Sequence, residues 1–600
     1  MNKLFKIIGL CNAIALSAMS AGCANGKTEM AEPKKNIYDE KEDAEGFVTE
    51  RARESGNPHA GAFFKPGESA EVGAAYTGYE FSMAPDDERY GGGQYIGKLF
   101  TEGLGRAPAP AEYLEYSETI FEKGCTQKTL RELAEKLFSS DIYLELPLKK
   151  AQKAICIYRA VLNRDPKSSE IADVERRLSD GESSADIAGN LTASGEFAAL
   201  MPGIGAGPYF WGENNAEHSL ADEVITASEL QSLLDKSNLV ELRSGAIVLM
   251  DQMVTVPEGT TLRTMGKPAH YAQQARLIRT INNASYMLML KKGASVENVW
   301  IDGNRMAFLD ILDENGEIYW PNAGHCVCLG ADETSLVGCR INDSPSATHV
   351  FGADLVRGLA IKDNLLTCYA TSHVEGRWAD GITHAARDSV IEGNHVIDAT
   401  DVGIIAFRFI SETDEPQDTQ ICGNRVLNLG NSAYAGLDID SWHSQNKVLN
   451  FTGNAFINNE LWTSWRAHMH IAMTLSPLAW TANFGDTAIG SAYIDNYTPD
   501  GLFCVCAAGI TVDGVHDVQI RGNQLRLYIN GDSVNMGAGK DMRPRIYSYN
   551  SENSSGDMQP GYEDLTTHGN GYGFIAACTN LLHGAAELKE AIIWEERRKS

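Results

Sequence analysis

Basic residues are scarce in this chain relative to acidic ones. Against 80 Asp and Glu stand 51 Lys and Arg, a formal charge of −29 over 600 residues. A surface of that sign repels phosphate backbones, which excludes non-specific nucleic-acid binding. Long apolar runs are missing too: beyond the first two dozen residues no segment reaches the roughly 20 apolar residues that a membrane-spanning helix needs. Cysteine is thin on the ground. Of 12 in all, Cys11 and Cys23 stand in the leading segment, and the other ten are too scattered for a disulfide scaffold. Cys326-Val327-Cys328 and Cys504-Val505-Cys506 are spaced by two, which puts each pair on one side of a strand and fits no zinc site. No Walker, Rossmann or zinc-protease motif occurs. What is present, 43% apolar residues and 57 Gly, describes a foldable chain of two or three units.

The N-terminus carries the first positive signal. Lys3 and Lys6 precede an apolar stretch from Ile7 to Met19, followed by Ser20-Ala21-Gly22-Cys23. That is the order of a secretory signal, so an exported protein is expected. Small residues directly before a cysteine resemble the lipobox of bacterial lipoproteins, with Ser20 where that motif usually has Leu. The resemblance implies that residues 1–23 hold the signal, that Cys23 is lipidated, and that the protein is anchored to the membrane of the cell envelope. The alternative is cleavage after Ser20 or Ala24 and secretion. Residues 24–90 read as a flexible tether.

Residues 91–205 change character: apolar residues recur at three and four, which indicates amphipathic helices. Leu104-Gly105-Arg106-Ala107-Pro108 is matched by Leu162-Asn163-Arg164-Asp165-Pro166 at an offset of 58, each after an aromatic lead, Leu99-Phe100 and Ile157-Tyr158. Two helical units in tandem are expected. With the closing Ser194-Gly195-Glu196-Phe197, the phrase resembles an extracellular bacterial helical repeat, the domain of unknown function 4214. The resemblance implies a spacer or attachment module able to take a surface partner.

A second repeat occupies residues 225–535. After a short helix from Ser228 to Lys236 come short alternating strands, then a recurring phrase: Ile301-Asp302-Gly303-Asn304, Ile361-Lys362-Asp363-Asn364, Ile391-Glu392-Gly393-Asn394, Ile421-Cys422-Gly423-Asn424, Phe451-Thr452-Gly453-Asn454 and Ile520-Arg521-Gly522-Asn523. Asn364 to Asn454 spans three equal steps of 30 residues. β-rich units of constant length stack as coils, and Asn suits a tight corner while its amide bonds the Asn of the next coil. These residues resemble the right-handed parallel β-helix of the pectate-lyase-like superfamily. The expected fold is therefore mainly β, a right-handed parallel β-helix solenoid preceded by a smaller all-α domain, with residues 536–600 covering the open end. The resemblance implies carbohydrate as the partner. The Gly-His-Gly and Arg-Ile-Lys signature of the polygalacturonase branch is absent.

A column of small-apolar pairs, Gly381-Ile382, Gly403-Ile404, Gly436-Leu437, His470-Ile471 and Gly509-Ile510, marks one inward row. Period-two alternation then turns Asp401, Tyr434, Asp438, Asp440, His468, His470, Thr511 and Asp513 outward on adjacent coils about 4.8 Å apart. Asp438, Asp440, His470 and Asp401 are the candidate catalytic residues. Tyr434, Arg377, Trp378, Asp380, His384, His468 and Trp442 are candidate substrate contacts, with Trp462 and Trp465 as further stacking surfaces and Glu375 and Arg408 on the flank. Paired carboxylates serve a glycoside hydrolase. Asp438 and Asp440, with Asp401, would alternatively hold Ca²⁺ by oxygen ligands for β-elimination in a lyase. The competing expectation is a non-catalytic glycan-binding adhesin or structural surface solenoid, in which these residues only shape turns and face solvent.

Overall fold

The computed structural model describes residues 92–206 and 224–529 with interruptions, the longer at 281–285, 306–324, 370–378, 409–414, 441–448 and 476–487, and short pieces at 550–551, 558–559 and 566–568. The signal, Cys23, the tether and most of the C-terminal segment lie outside the described residues.

Helices α1 (Gly92–Gly103), α2 (Pro110–Lys123), α3 (Gln127–Phe138), α4 (Asp141–Leu144), α5 (Lys150–Leu162), α6 (Ser168–Ser179), α7 (Ser184–Thr192) and α8 (Gly195–Ala206) form the N-terminal module. The offset of 58 is a structural repeat. α1 and α5 each end in a left-handed residue, Gly105 at φ 70° and Asn163 at φ 52°. The arginine that follows forms a two-pronged pair with a glutamate six residues on, Arg106 with Glu112 and Arg164 with Glu170. That glutamate also accepts the backbone N–H three residues before it, from Ala109 and from Lys167, which caps the next helix. The repeated phrase is thus a turn-and-restart device.

After the module the chain winds through three parallel sheets. Each coil passes from a first sheet (Leu239–Leu242 onward) to a second (Ile247–Met250 onward) to a third (Val254–Val256 onward), with 11, nine and nine strands among the described residues. Pairing is parallel throughout these sheets, so like residues stack. The third sheet's inward column runs Val254, Leu288, Val327, Val350, Ile382, Ile404, Leu437, Met473. It meets Val248, Leu277, Ile301, Ile341, Leu366, Val396, Val426 and Leu461 of the second sheet. These side chains fill one continuous core.

Three expectations need correction. The asparagine ladder at the corner between the first and second sheets is Asn364, Asn394, Asn424, Asn459, Asn496 and Asn523, each Nδ2 donating to the next Oδ1. Asn454 is elsewhere, at the corner entering the first sheet, where its Oδ1 takes the Thr419 N–H. Asn304 binds the Arg279 carbonyl instead. Any tight corner accepts Gly-Asn, so the phrase alone does not say which corner it occupies.

The glycine column, in turn, does not face outward. An added Cβ on Gly403 would lie 2.3 Å from Val426 Cγ1 and 2.6 Å from the Gly436 carbonyl oxygen, and one on Gly381 would lie 2.4 Å from Val396 Cγ1. Two consecutive residues turn inward here, and only glycine leaves room for the opposite sheet. Gly403→Ala is therefore expected to cost about 1–3 kcal/mol, read as a lowered thermal midpoint.

The register of the strand His468–Leu475 is the third correction, because Met473, not Ile471, lies in the Leu437 row.

The helical module is also more than a spacer. Tyr95, Leu99, Phe100 and Tyr113 share one buried cluster with Trp300, Leu365, Ile397, Leu427 and Trp462 of the second sheet's outer face. Gln94 Nε2 donates to Asp398 Oδ2 at 3.0 Å across this boundary.

Candidate functional site

Of the three outer faces, the second sheet's lies under the helices. The first sheet's is solvated and tied by exposed pairs such as Lys362–Glu392. Its corner to the second sheet takes two residues per coil from Val337–Arg340 to Ile457–Glu460. Four long connections enter or leave the third sheet, Asp302 to His325 and Thr367 to Ala379 on one side and Phe407 to Gln420 and Leu475 to Ala488 on the other, while Thr264 to Ala275 joins the first sheet to the second. A sheet bordered by long connections is where recognition usually sits.

The outward row of this sheet runs Met289, Cys328, Phe351, Thr383, Ile405, Asp438, Thr474. Its early coils are apolar. Tyr286, His325 and Phe351 stack as three near-parallel rings, with centroids 4.8 and 5.6 Å apart. Burial, aided by Arg279, pushes His325 down to about 3, so this ring is neutral. The sequence does not announce the stack, because its members are separated by connections of unequal length.

The carboxylates follow. Asp380 is half-buried on the strand Ala379–His384. Its Oδ2 accepts the Thr383 hydroxyl at 2.6 Å, and its Oδ1 accepts the Val402 N–H of the next coil at 3.0 Å. Burial outweighs both donors and raises its carboxyl to about 6. Asp401 directly precedes Val402, so the two carboxyls occupy consecutive coils. The Asp401 carbonyl accepts the Tyr434 N–H at 2.6 Å, which places buried Tyr434 on the coil after. The register puts His470 in the row of Tyr434, pairs His468 with Ser432 and Asp440 with Phe407. The side chains of these last three residues lie outside the description.

Asp438 occupies the outward row opposite Ile405 and Thr474, yet it is fully buried. Its charge adds to burial in pushing the core phenol of Tyr493 far above the usual range.

Other candidates are placed elsewhere. His384 points inward rather than onto the face: it is fully buried, its Nε2 lies 3.3 Å from Thr419 Oγ1, and burial lowers it to about 3. The inward row is two residues from Ile382, so alternation itself turns His384 in. Trp462 is under the helical module, 4.7 Å from the Tyr113 ring, with its indole N–H on Glu460 Oε1 at 2.7 Å. It is unavailable to a sugar. Arg408 is buried with its guanidinium on the Asn450 carbonyl at 2.6 Å. Glu375, Arg377, Trp378, Trp442, Trp465 and Asp513 lie outside the described residues. Among the described residues no group of three or more His, Cys, Asp or Glu is placed to hold a metal ion. Thr383, which positions Asp380, has no motif that would single it out.

No family model matches this chain. No curated protein is similar to it. Solved structures with a similar fold include the tailspike protein of E. coli bacteriophage HK620 in complex with pentasaccharide, at 10% identity and a TM-score of 0.33 over 57% of this chain; the match spans 63% of the tailspike, less than two thirds of its length. An alginate lyase from Paenibacillus sp. str. FPU-7 matches at 13% identity and a TM-score of 0.24, over 49% of this chain and 99% of that one. A periplasmic alginate epimerase matches at 12% identity and a TM-score of 0.27, over 58% of this chain and 83% of that one.

Proposed function

We propose that this chain is an exported, lipid-anchored protein of the bacterial cell envelope that acts on polysaccharide at the outer face of the third sheet. The observation that carries the reading is the placing of Asp380, held by the Thr383 hydroxyl and the Val402 N–H one coil from a second carboxyl, Asp401, with burial raising its carboxyl to about 6. In a glycoside hydrolase Asp380 donates its proton to the glycosidic oxygen as the bond to the anomeric carbon breaks, and the second carboxyl draws the proton from the attacking water. Asp440 and His470 are the further candidates, on strands of the following coils. Ca²⁺ on Asp438 and Asp440 is the alternative electrostatic helper, in a lyase acting on an acidic sugar. The net charge of −29 favours neutral glycans unless such a cation offsets it. The helical module is proposed to be a relative of the extracellular repeat whose phrase it carries.

The test is to incubate the protein with acidic and neutral polysaccharides, with Ca²⁺ or chelator, following unsaturated-uronate absorbance and new reducing ends. Reducing ends alone identify a hydrolase, and both signals identify a lyase. Silence across the panel with retained glycan pull-down identifies a binding protein instead. Asp380→Asn and Asp401→Asn are each expected to lower turnover by about 10²–10⁴-fold with urea unfolding little changed. Activity that depends on Asp380 as proton donor falls as pH rises through about 6.

A further inference from the structure

We propose that His270 is an acid-sensitive latch that holds the helical module on the solenoid. The turn between the strands Thr261–Thr264 and Ala275–Arg279 leaves the solenoid and enters the module. Tyr271 Oη donates to the Glu102 carbonyl at 3.1 Å, and Gln273 Nε2 donates to the Pro147 carbonyl at 2.7 Å. The His270 ring lies against Gly105, where an added Cβ would be 2.8 Å from its Cδ2. The ring is 3% exposed.

The hydrogen bonds fix the ring as neutral. Nδ1 accepts the Ala272 N–H at 3.1 Å, capping the short turn Tyr271–Gln273, and the ring also bonds the Gly103 backbone. Protonating Nδ1 would set N–H against N–H and release that cap. Burial opposes the charge more strongly than the groups facing the ring can offset it: Glu102 favours it, and Arg340 opposes it. α1 offers Glu102, which Arg159 and Arg340 already bracket. α5 offers the Cys156 thiol, 3.8 Å from Nδ1. The second sheet offers Arg340, and the turn itself offers Tyr271.

Burial, reinforced by Arg340, lowers His270 from 6.5 to about 3. A proton therefore binds the undocked state more tightly. Docking is strongest above the ordinary histidine range and weakens about tenfold per pH unit as pH falls below it, until about 3. His395, the other histidine near this boundary, faces Arg425 and Arg106 and shifts in the same direction. Removing His270 alone is therefore expected to take one proton out of the pH slope.

Cys156 reports the event, because it is buried where His270 inserts. The full chain is treated briefly with a pyridyl disulfide reagent, which reacts with thiols in acid, at steps from about pH 7 to about pH 4.5, and each cysteine is read by mass spectrometry. Cys156 labelling is expected to rise at least about tenfold per unit, while Cys326 and Cys339 in the solenoid core stay protected. His270→Asn, whose side-chain oxygen caps Ala272 without titrating, is expected to flatten the slope by about tenfold per unit. Equal slopes in wild type and variant overturn the proposal, as does exposure of Cys156 and Cys326 together. If the variant does not fold, wild type alone decides: Cys156 labelling that is flat across the range also overturns it.

Discussion

Asn424→Ala is expected to lower stability by about 3–5 kcal/mol, far more than a typical surface substitution. Asn424 is fully buried and makes four side-chain bonds. Its Nδ2 donates to the Ile391 carbonyl at 2.9 Å and to Asn459 Oδ1 at 3.0 Å. Its Oδ1 accepts both the backbone N–H and the Nδ2 of Asn394 at 3.0 Å. Alanine leaves the Ile391 carbonyl and the Asn394 N–H without these partners where water does not reach, and each such group costs about 1–3 kcal/mol. Aspartate is no rescue: it keeps the acceptors but aims them at the Ile391 carbonyl and Asn459 Oδ1. Urea unfolding of the full chain, with hydrogen exchange localised by mass spectrometry, checks this. Because coils contact chiefly their neighbours, protection should fall first in the strands on either side of residue 424. A midpoint within error of wild type would mean that the ladder contributes little beyond corner geometry.

The winding was legible from the sequence because two signals coincide at each coil: a short apolar strand and a polar corner residue that only a repeating turn explains. Which corner each Gly-Asn occupies was not legible. The coil after Asn424 is longer by five residues, so its ladder residue is Asn459 rather than Asn454. The candidate face was half legible. Alternation brings Asp380, Asp401, Tyr434 and Asp438 to one sheet but fails at the glycine column, where two successive residues turn inward. Nor does alternation tell a face that meets solvent from one that is covered. Asp438 is outward in register and buried in fact, and Trp462, read as a sugar platform, is a module contact. The docking of the module was invisible for a simpler reason: Glu102 and Arg340 are 238 residues apart, and no local pattern links them.

That pairing sets the second large effect. Arg340, Glu102, Arg159, Asp165, Arg276 and Asp302 form an alternating chain of charges between module and solenoid. Arg159 lies 2.9 Å from both Glu102 and Asp165, Arg276 lies 2.7 Å from Asp165, and Arg340–Glu102 and Arg276–Asp302 close the ends. All six are at most 5% exposed. Trp300 sits among them, its ring centroid 3.9 Å from the Arg276 guanidinium and 5.0 Å from that of Arg159.

Glu102→Gln removes one anion and leaves two buried guanidiniums around a neutral amide, at an expected cost of about 3–5 kcal/mol. Replacing Glu102 by Leu together with Arg340 by Met should recover part of that loss, since Arg159 keeps Asp165 and the cation chiefly deprived of its neighbour is Lys98, which burial already lowers to about 7. If the double variant is as unstable as Glu102→Gln, then Arg340 matters for its bonds to Thr367 and the Thr101 carbonyl, not for its charge.

The same chain bears on the acid response. Burial opposes ionisation of Glu102, but Arg340, Arg159 and Lys98 outweigh it and hold the carboxyl well below its usual range. A depressed carboxylate contributes stability that is fully present above its unfolded value of 4.5 and is lost progressively as pH falls below that value. Between the histidine range and that point the chain keeps its charges, so undocking seen there is carried by imidazole. Glu102→Gln should therefore weaken docking at every pH tested and leave the pH slope of Cys156 labelling unchanged, whereas His270→Asn should change the slope. A Glu102→Gln variant with an altered slope above about pH 5 would make the carboxylates, not His270, the acid-sensing element.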